Sequence, residues 1–238
     1  KPTLAITSGD GRNSFGDDSR DSDKGGVKFG SRINIFPFGD FSIGNRLSTV
    51  DLMHEERPKV QIGFAYSKNM GASNKVGDGH GDFILYDDSG DELFPDYSQL
   101  FLDLNLKYRG FSLVLEYADA FASGLDQIYT DPNAFNLLIP QQISEYLVVG
   151  DSQGLQFGYF TKNGISIDLI YENLNPEFDS YGSSILRKSS NMGVGISKYL
   201  AGNNLKIQAS LFKTGYENLN NLNDDEFMSG SFLVQIAF

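Results

Sequence analysis

The C-terminal stretch Met228-Ser-Gly-Ser-Phe-Leu-Val-Gln-Ile-Ala-Phe238 puts Met228, Phe232, Val234, Ile236 and Phe238 on one side and Ser229, Ser231, Gln235 and Ala237 on the other. Side chains of a β-strand point alternately to opposite faces, so a period of two marks a strand with one apolar and one polar face. The pattern recurs about ten times along the chain. Leu205, Ile207, Ala209 and Leu211 oppose Lys206, Gln208, Ser210 and Thr214; Ile165, Ile167, Leu169 and Tyr171 oppose Ser166, Asp168 and Glu172. Phe111, Leu113, Leu115 and Tyr117 oppose Ser112, Val114 and Glu116; Val60, Ile62, Phe64 and Tyr66 oppose Lys59, Gln61, Gly63 and Ser67. Leu102, Leu104, Leu106 and Tyr108 oppose Asp103, Asn105, Lys107 and Arg109; Val27, Phe29, Ile33 and Ile35 oppose Lys28, Gly30, Arg32 and Asn34.

Composition agrees with an all-β chain. The 26 glycines, 12 tyrosines and 19 phenylalanines, beside many Asn, Asp and Ser, supply turns and pleated surfaces. Only 40% of the 238 residues are hydrophobic, and no run approaches the roughly 18 apolar residues of a spanning helix, so any membrane role falls to strands. A formal charge of −12 argues against a nucleic-acid surface, and the absence of cysteine removes disulfides, thiol catalysis and Cys-ligated zinc. The opening Pro2-Thr-Leu-Ala-Ile-Thr7 is strand-like and lacks a signal-peptide pattern, so the expectation is a removed signal peptide or a further N-terminal portion.

Short and long connections alternate. Arg109-Gly110, Lys162-Asn-Gly164 and Ala201-Gly-Asn-Asn204 are hairpin turns, whereas residues 9–25, 70–97, 122–152, 175–187 and 216–226 form long, polar, acidic loops. One connection on the short-turn side, 37–57, is long; its stretch from Ser48 to Glu56 reads as a short helix with Ser48 as N-cap, stopped by Pro58. A soluble β-sandwich also alternates, but it gives no reason for every second connection to be long and acidic.

Lipid cannot hydrogen-bond a backbone, so a spanning sheet must close into a barrel with apolar side chains outward and polar ones toward a wet lumen. The predicted fold is therefore an antiparallel transmembrane β-barrel over 1–238, with short periplasmic turns, long extracellular loops and a periplasmic C-terminus, in the outer membrane of a Gram-negative bacterium. Tyr66, Tyr117 and Tyr171 each lie six residues after the first outward residue of a rising strand and predict an aromatic girdle, with Phe238 at the opposite interface. The long loops hold 22 of the 31 acidic and 5 of the 19 basic residues, so the −12 belongs to the loops and the wall is net +5. The predicted lumen lining is Lys28, Arg32, Lys59, Lys107, Arg109 and Lys206, balanced by Asp103, Glu116, Asp168 and Glu172. Such mixed charge tunes ion selectivity, or pairs with itself to stiffen the wall.

Four segments carry a family resemblance: Pro2-Thr-Leu-Ala-Ile-Thr-Ser-Gly-Asp-Gly-Arg-Asn13, Arg32-Ile-Asn-Ile-Phe-Pro-Phe-Gly39, Glu55-Glu-Arg-Pro-Lys-Val-Gln-Ile-Gly-Phe-Ala-Tyr66 and Leu106-Lys-Tyr-Arg-Gly-Phe-Ser-Leu-Val-Leu-Glu-Tyr117. In their order and spacing the chain resembles the phosphate-selective porin O and P family, in its Bacteroidetes-type branch. The resemblance implies a sixteen-stranded outer-membrane barrel, often trimeric, passing small anions; with ten strands visible, about six N-terminal strands would be absent, unless the ten close as a small barrel. Phe238 resembles the C-terminal signal read by the barrel-assembly machinery. Phosphate selectivity carries over poorly, since only Arg32, Arg109 and four lysines face four carboxylates.

The stretches Asp17-Asp-Ser-Arg-Asp-Ser-Asp23, Gly77-Asp-Gly-His-Gly-Asp-Phe83 and Asp87-Asp-Ser-Gly-Asp-Glu92 offer oxygens but no EF-hand spacing, and read as solvated loops that at most bind divalent cations diffusely. No metal site, cofactor or nucleic-acid partner is expected. His54 falls in the periplasmic connection and His80 in a loop, and nothing pairs a nucleophile with a base, so no enzyme is expected. Asn136-Leu-Leu-Ile-Pro140 and Tyr146-Leu-Val-Val149 are apolar within an exposed loop; they predict a plug, a strand above the membrane, or a docking surface. The expected function is a porin-like passive channel for small solutes, among them anions, in contact with outer-membrane lipid and lipopolysaccharide. The alternative is a non-conducting barrel serving as subunit or scaffold of a homotrimer or larger outer-membrane assembly.

Overall fold

The computed structural model describes residues 1–7, 26–77, 83–125, 127–143, 146–178, 186–201, 204–217 and 225–236. Ten strands form one sheet: β1 (Pro2–Thr7), β2 (Lys28–Ile35), β3 (Lys59–Asn69), β6 (Asp96–Tyr108), β7 (Phe111–Ser123), β8 (Gly150–Phe160), β9 (Ile165–Pro176), β10 (Ser189–Tyr199), β11 (Leu205–Tyr216) and β12 (Asp225–Ile236). Every neighbouring pair is antiparallel and follows chain order, so the sheet is a continuous meander with β1 and β12 at its edges. A separate hairpin, β4 (Leu85–Tyr86) and β5 (Glu92–Leu93), and a four-residue helix α1 (Pro140–Ile143) lie in the long loops.

Directly opposed residues of an antiparallel pair share a face. The row Gly63, Asp103, Glu116, Gly154, Glu172, Asn191 and Thr214 runs across seven strands on the polar face. The row Ile62, Leu104, Leu115, Leu155 and Tyr171 runs across the apolar one. Alternation was thus legible strand by strand, and the register joins it into two continuous surfaces. No described segment covers the apolar surface: Ile167, Leu169, Val234 and Phe232 are exposed by 50, 52, 52 and 71%.

The turns obey their own chemistry. Arg109 and Gly110 both have positive φ, +49° and +90°, the left-handed pair that closes a two-residue hairpin without splaying its strands. Arg109 therefore sits beyond the end of β6, its guanidinium 5.2 Å from the Tyr108 ring, and its lumen assignment is corrected to a turn position.

The connection 36–57 departs from the helix expected over 48–56. Its helical piece is a single 3₁₀ turn at Ile43–Asn45, and 48–56 is a chain of turns. The groups a helix would pair internally are taken by side chains. The Glu55 amide N–H donates to Asp51, the Met53 N–H to Asn45 Oδ1, and the carbonyls of Asn45 and Ser48 accept from Lys107. Ser48 Oγ accepts the Val50 N–H in a local turn instead of capping a helix.

The apolar loop segments divide. Leu147 and Val149 are buried against Ala72 and the polar-face residue Tyr97, whose hydroxyl donates to the Val148 carbonyl, so 146–149 folds inward. Leu137 instead makes an isolated β-bridge with Tyr129, which bridges Tyr86 of β4, and it stays half-exposed.

Candidate functional site

The polar face is covered at both ends and open between them. At the loop end, the cluster of Ala72, Tyr97, Leu147 and Val149 closes over it, with Ala120 and Ala122 beneath. At the turn end, the connection 36–57 closes over it and leaves Lys107 fully buried. Between the covers lies a hollow of about 590 Å³ whose charged lining is Arg32, Asp103, Glu116 and Glu172.

Each charge in this window has a distinct setting. Arg32 Nη2 meets Asp103 Oδ2 at 2.7 Å and its Nε donates to Asn34 Oδ1. Gly63 permits that pair, because a Cβ there would lie 2.1 Å from Asp103 Oδ2 and 2.5 Å from Arg32 Nη2. Glu172 accepts from Asn191 Nδ2 at 2.9 Å, and Asn191 Oδ1 in turn accepts from Thr214. Glu116 has neither ion-pair nor hydrogen-bond partner among the described residues, and it lies beside the open backbone of Gly154. Asp168, nearer the turn end, is buried and accepts from Ser166 and Gln156.

The expected lysines lie away from the window. Lys28 Nζ donates to the Gly77 carbonyl of a long loop, and Lys59 Nζ to the Phe38 carbonyl of the connection 36–57. Lys107 Nζ donates to the carbonyls of Asn45 and Ser48 and lies 4.6 Å from the Phe41 ring centre. Lys206 lies 5.8 Å from the Tyr199 ring, at the end of a stack that runs from His54 through Phe160. Of the six expected cations, Arg32 alone lines the hollow. With three carboxylates beside it, the open wall carries a net −2.

On the apolar face, Tyr66, Tyr117 and Tyr171 step regularly. Two strands from Tyr66 the register reaches Asp119, two residues past Tyr117; two strands from Tyr117 it reaches Asn173, two residues past Tyr171. One residue per strand, at a rise of about 3.4 Å and a strand spacing of about 4.8 Å, puts the tyrosines on a line crossed at a tilt of about 35°. Just beyond them the face turns polar, with the Lys68–Asp96 ion pair at 2.7 Å, Asp119, and Asp151 accepting from Asn175.

A second aromatic line, not anticipated from the sequence, bounds the other side. Phe111 opposes Tyr108 on one side and Tyr159 on the other, and the rings of Phe111 and Tyr159 lie 4.6 Å apart. Its signal was present, since all three are apolar-face residues beside short turns. Phe238, expected at this side, lies outside the described residues, as do His80, 17–23 and the centre of the 77–83 loop. Asp87 is engaged by its own turn, accepting the N–H groups of Ser89 and Asp91.

No protein-family model, curated protein or solved structure matches the chain. The resemblance to the porin O and P family accordingly rests on the four quoted segments alone.

Glu55 makes the turn-end cover sensitive to acid. Burial pushes its carboxyl up, but hydrogen bonds from Asn45 Nδ2 and from the Ser42 N–H and Oγ outweigh this and hold it below the ordinary carboxylate range. A depressed folded-state value means that its stabilisation is complete above the unfolded value of about 4.3 and is lost as pH falls through the lower one. Hydrogen exchange of the 41–55 amides should therefore show protection falling toward pH ~3, with a shallower fall in Glu55→Gln. Equal slopes in both proteins would contradict this assignment.

Proposed function

We propose that the chain forms the wall of an outer-membrane β-barrel channel through which small hydrophilic solutes diffuse passively. The observation that carries this reading is an apolar face that no described residue covers, bounded by one aromatic line on each side and backed by a mostly polar one. Soluble monomers seldom expose apolar patches beyond a few hundred Å², whereas this surface is continuous across neighbouring strands. From Leu100 to Tyr108 the apolar side of β6 spans about 22 Å along the membrane normal at the tilt above, close to the ~25 Å band of outer-membrane barrels. The 35° tilt is itself within the range that closing a barrel requires.

In this reading the polar face lines water, and the two covers leave the window as the exposed wall of the conduction path. Its charge favours cations over the anions implied by the family resemblance. Asp103 is neutralised by Arg32, leaving Glu116 and Glu172 to raise the local concentration of cations and lower that of anions. Covers at both ends of the polar face also suit a closed barrel acting as a scaffold, so conduction decides between the readings.

In planar bilayers the protein should give stable open steps whose reversal potential under a salt gradient indicates cation preference. Glu116→Lys combined with Glu172→Lys should move it toward anions. Silence after confirmed insertion would sink the channel; an unmoved reversal potential would remove these two residues from the path. For the membrane face, Leu155→Arg should cost about 2–4 kcal/mol in denaturant unfolding from lipid, and the adjacent polar-face Gln156→Arg less than about 1 kcal/mol. Equal costs would contradict the assignment of faces.

A further inference from the structure

The two covers of the polar face differ in kind. The loop-end cover is apolar: Ala72, Leu147 and Val149 are buried on Tyr97, so lifting it would return that surface to water. The turn-end cover is inverted. Its polar residues Asn45, Asp51 and Glu55 are buried, while Ile43, Leu47 and Met53 are exposed by 84, 95 and 55%. Its hold on the wall is correspondingly polar. Lys107 Nζ donates to the Asn45 and Ser48 carbonyls, Lys59 Nζ to the Phe38 carbonyl, the Arg109 N–H to the Glu55 carbonyl and the Gly110 N–H to Asp51 Oδ2. In every one of these bonds the wall donates and the cover accepts. The main apolar touches are His54 on Phe160, ring centres 5.5 Å apart, and Phe41 beneath the Lys107 ammonium.

The cover also holds together without the wall. Asn45 Nδ2 bridges Asp51 Oδ1 and Glu55 Oε1, Glu55 accepts from both the N–H and the hydroxyl of Ser42, and Asp51 accepts the Glu55 N–H. Both ends are tethered, at Ile35 of β2 and Lys59 of β3, which are themselves paired strands. A unit that is internally bonded, tethered at both ends, and attached by groups that water can replace is able to lift as a body. Ile43, Leu47 and Met53 are already exposed, so the apolar side chains that lifting would return to water are chiefly Phe41 and Val50.

We propose that residues 37–57 form a latched constriction at the turn-side mouth of the pore, held closed by Lys107 and by the Asp51–Gly110 bond, and that releasing this latch widens the path. The inference rests on the channel reading for its effect on conduction, but the latch itself can be read without it.

The chain has no cysteine, so single cysteines report cleanly. Val50→Cys, at a position 2% exposed within the cover, and Leu47→Cys, at its exposed crest, are each made in the parent and in Lys107→Met, and labelled with a maleimide after insertion into lipid vesicles. Leaving buried acceptors unpaired should speed Val50→Cys labelling by about tenfold or more in Lys107→Met, with Leu47→Cys labelled equally in both. Conductance of Lys107→Met should exceed that of the parent. Asp51→Asn, which keeps the lysine, provides the same comparison should Lys107→Met fail to insert. Equal Val50→Cys rates in parent and variants would overturn the latch. Faster labelling with unchanged conductance would overturn its role as a constriction. Silence in both, with labelling changed, would leave the latch standing and remove the channel beneath it.

Discussion

A backbone amide withdrawn from water must find another partner, and the meander meets that demand for every strand from β2 to β11 on both sides. Side chains are then free to be sorted by polarity, and the register shows the sorting across neighbouring strands. One face carries leucine, isoleucine and phenylalanine between two aromatic lines; the other carries mostly glycine, serine, asparagine and charge, with Phe101, Ile170 and Leu174 among them. A soluble sandwich satisfies its backbone equally well but buries its apolar face under a second layer. No described residue forms such a layer here.

On the polar face the same sheet meets charge with a division of labour. Lysines stand at its ends, where Lys28, Lys59 and Lys107 donate to carbonyls of the covering segments. Carboxylates stand in the middle, where Arg32 compensates one of three. The wall's net positive charge in the sequence therefore anchors the covers, and the part left open between them is negative. Glycine completes the arrangement at Gly63, where any side chain would displace the Arg32–Asp103 pair.

Local chemistry was legible in the sequence and long-range chemistry was not. Alternation at period two located the strands and sorted Glu116, Asp168 and Glu172 correctly onto the polar face, because facing depends only on neighbours along the chain. Arg109 failed because a two-residue turn with positive φ takes it out of the alternation, a conformation rarely adopted by arginine. The helix expected over 48–56 failed because Lys107, some sixty residues away, takes the Ser48 carbonyl that a first helical turn would have used. The roles of the lysines were unreadable for the same reason: the acceptors lie on segments whose return to the wall no periodicity announces. The buried core of Leu147, Val149 and Tyr97 likewise joins distant segments, and only the apolar run 146–149 hinted at it.

The central claim is that one face of this sheet meets lipid and the other water, which site-by-site accessibility along β6 tests most directly. Single cysteines from Leu100 to Lys107, spin-labelled in vesicles, should alternate: Leu100, Leu102, Leu104 and Leu106 relaxed by oxygen dissolved in lipid, Phe101, Asp103 and Asn105 by an aqueous reagent, and Lys107 shielded from both. The same relaxation pattern on both faces, or an apolar face reached chiefly by the aqueous reagent, would contradict the account.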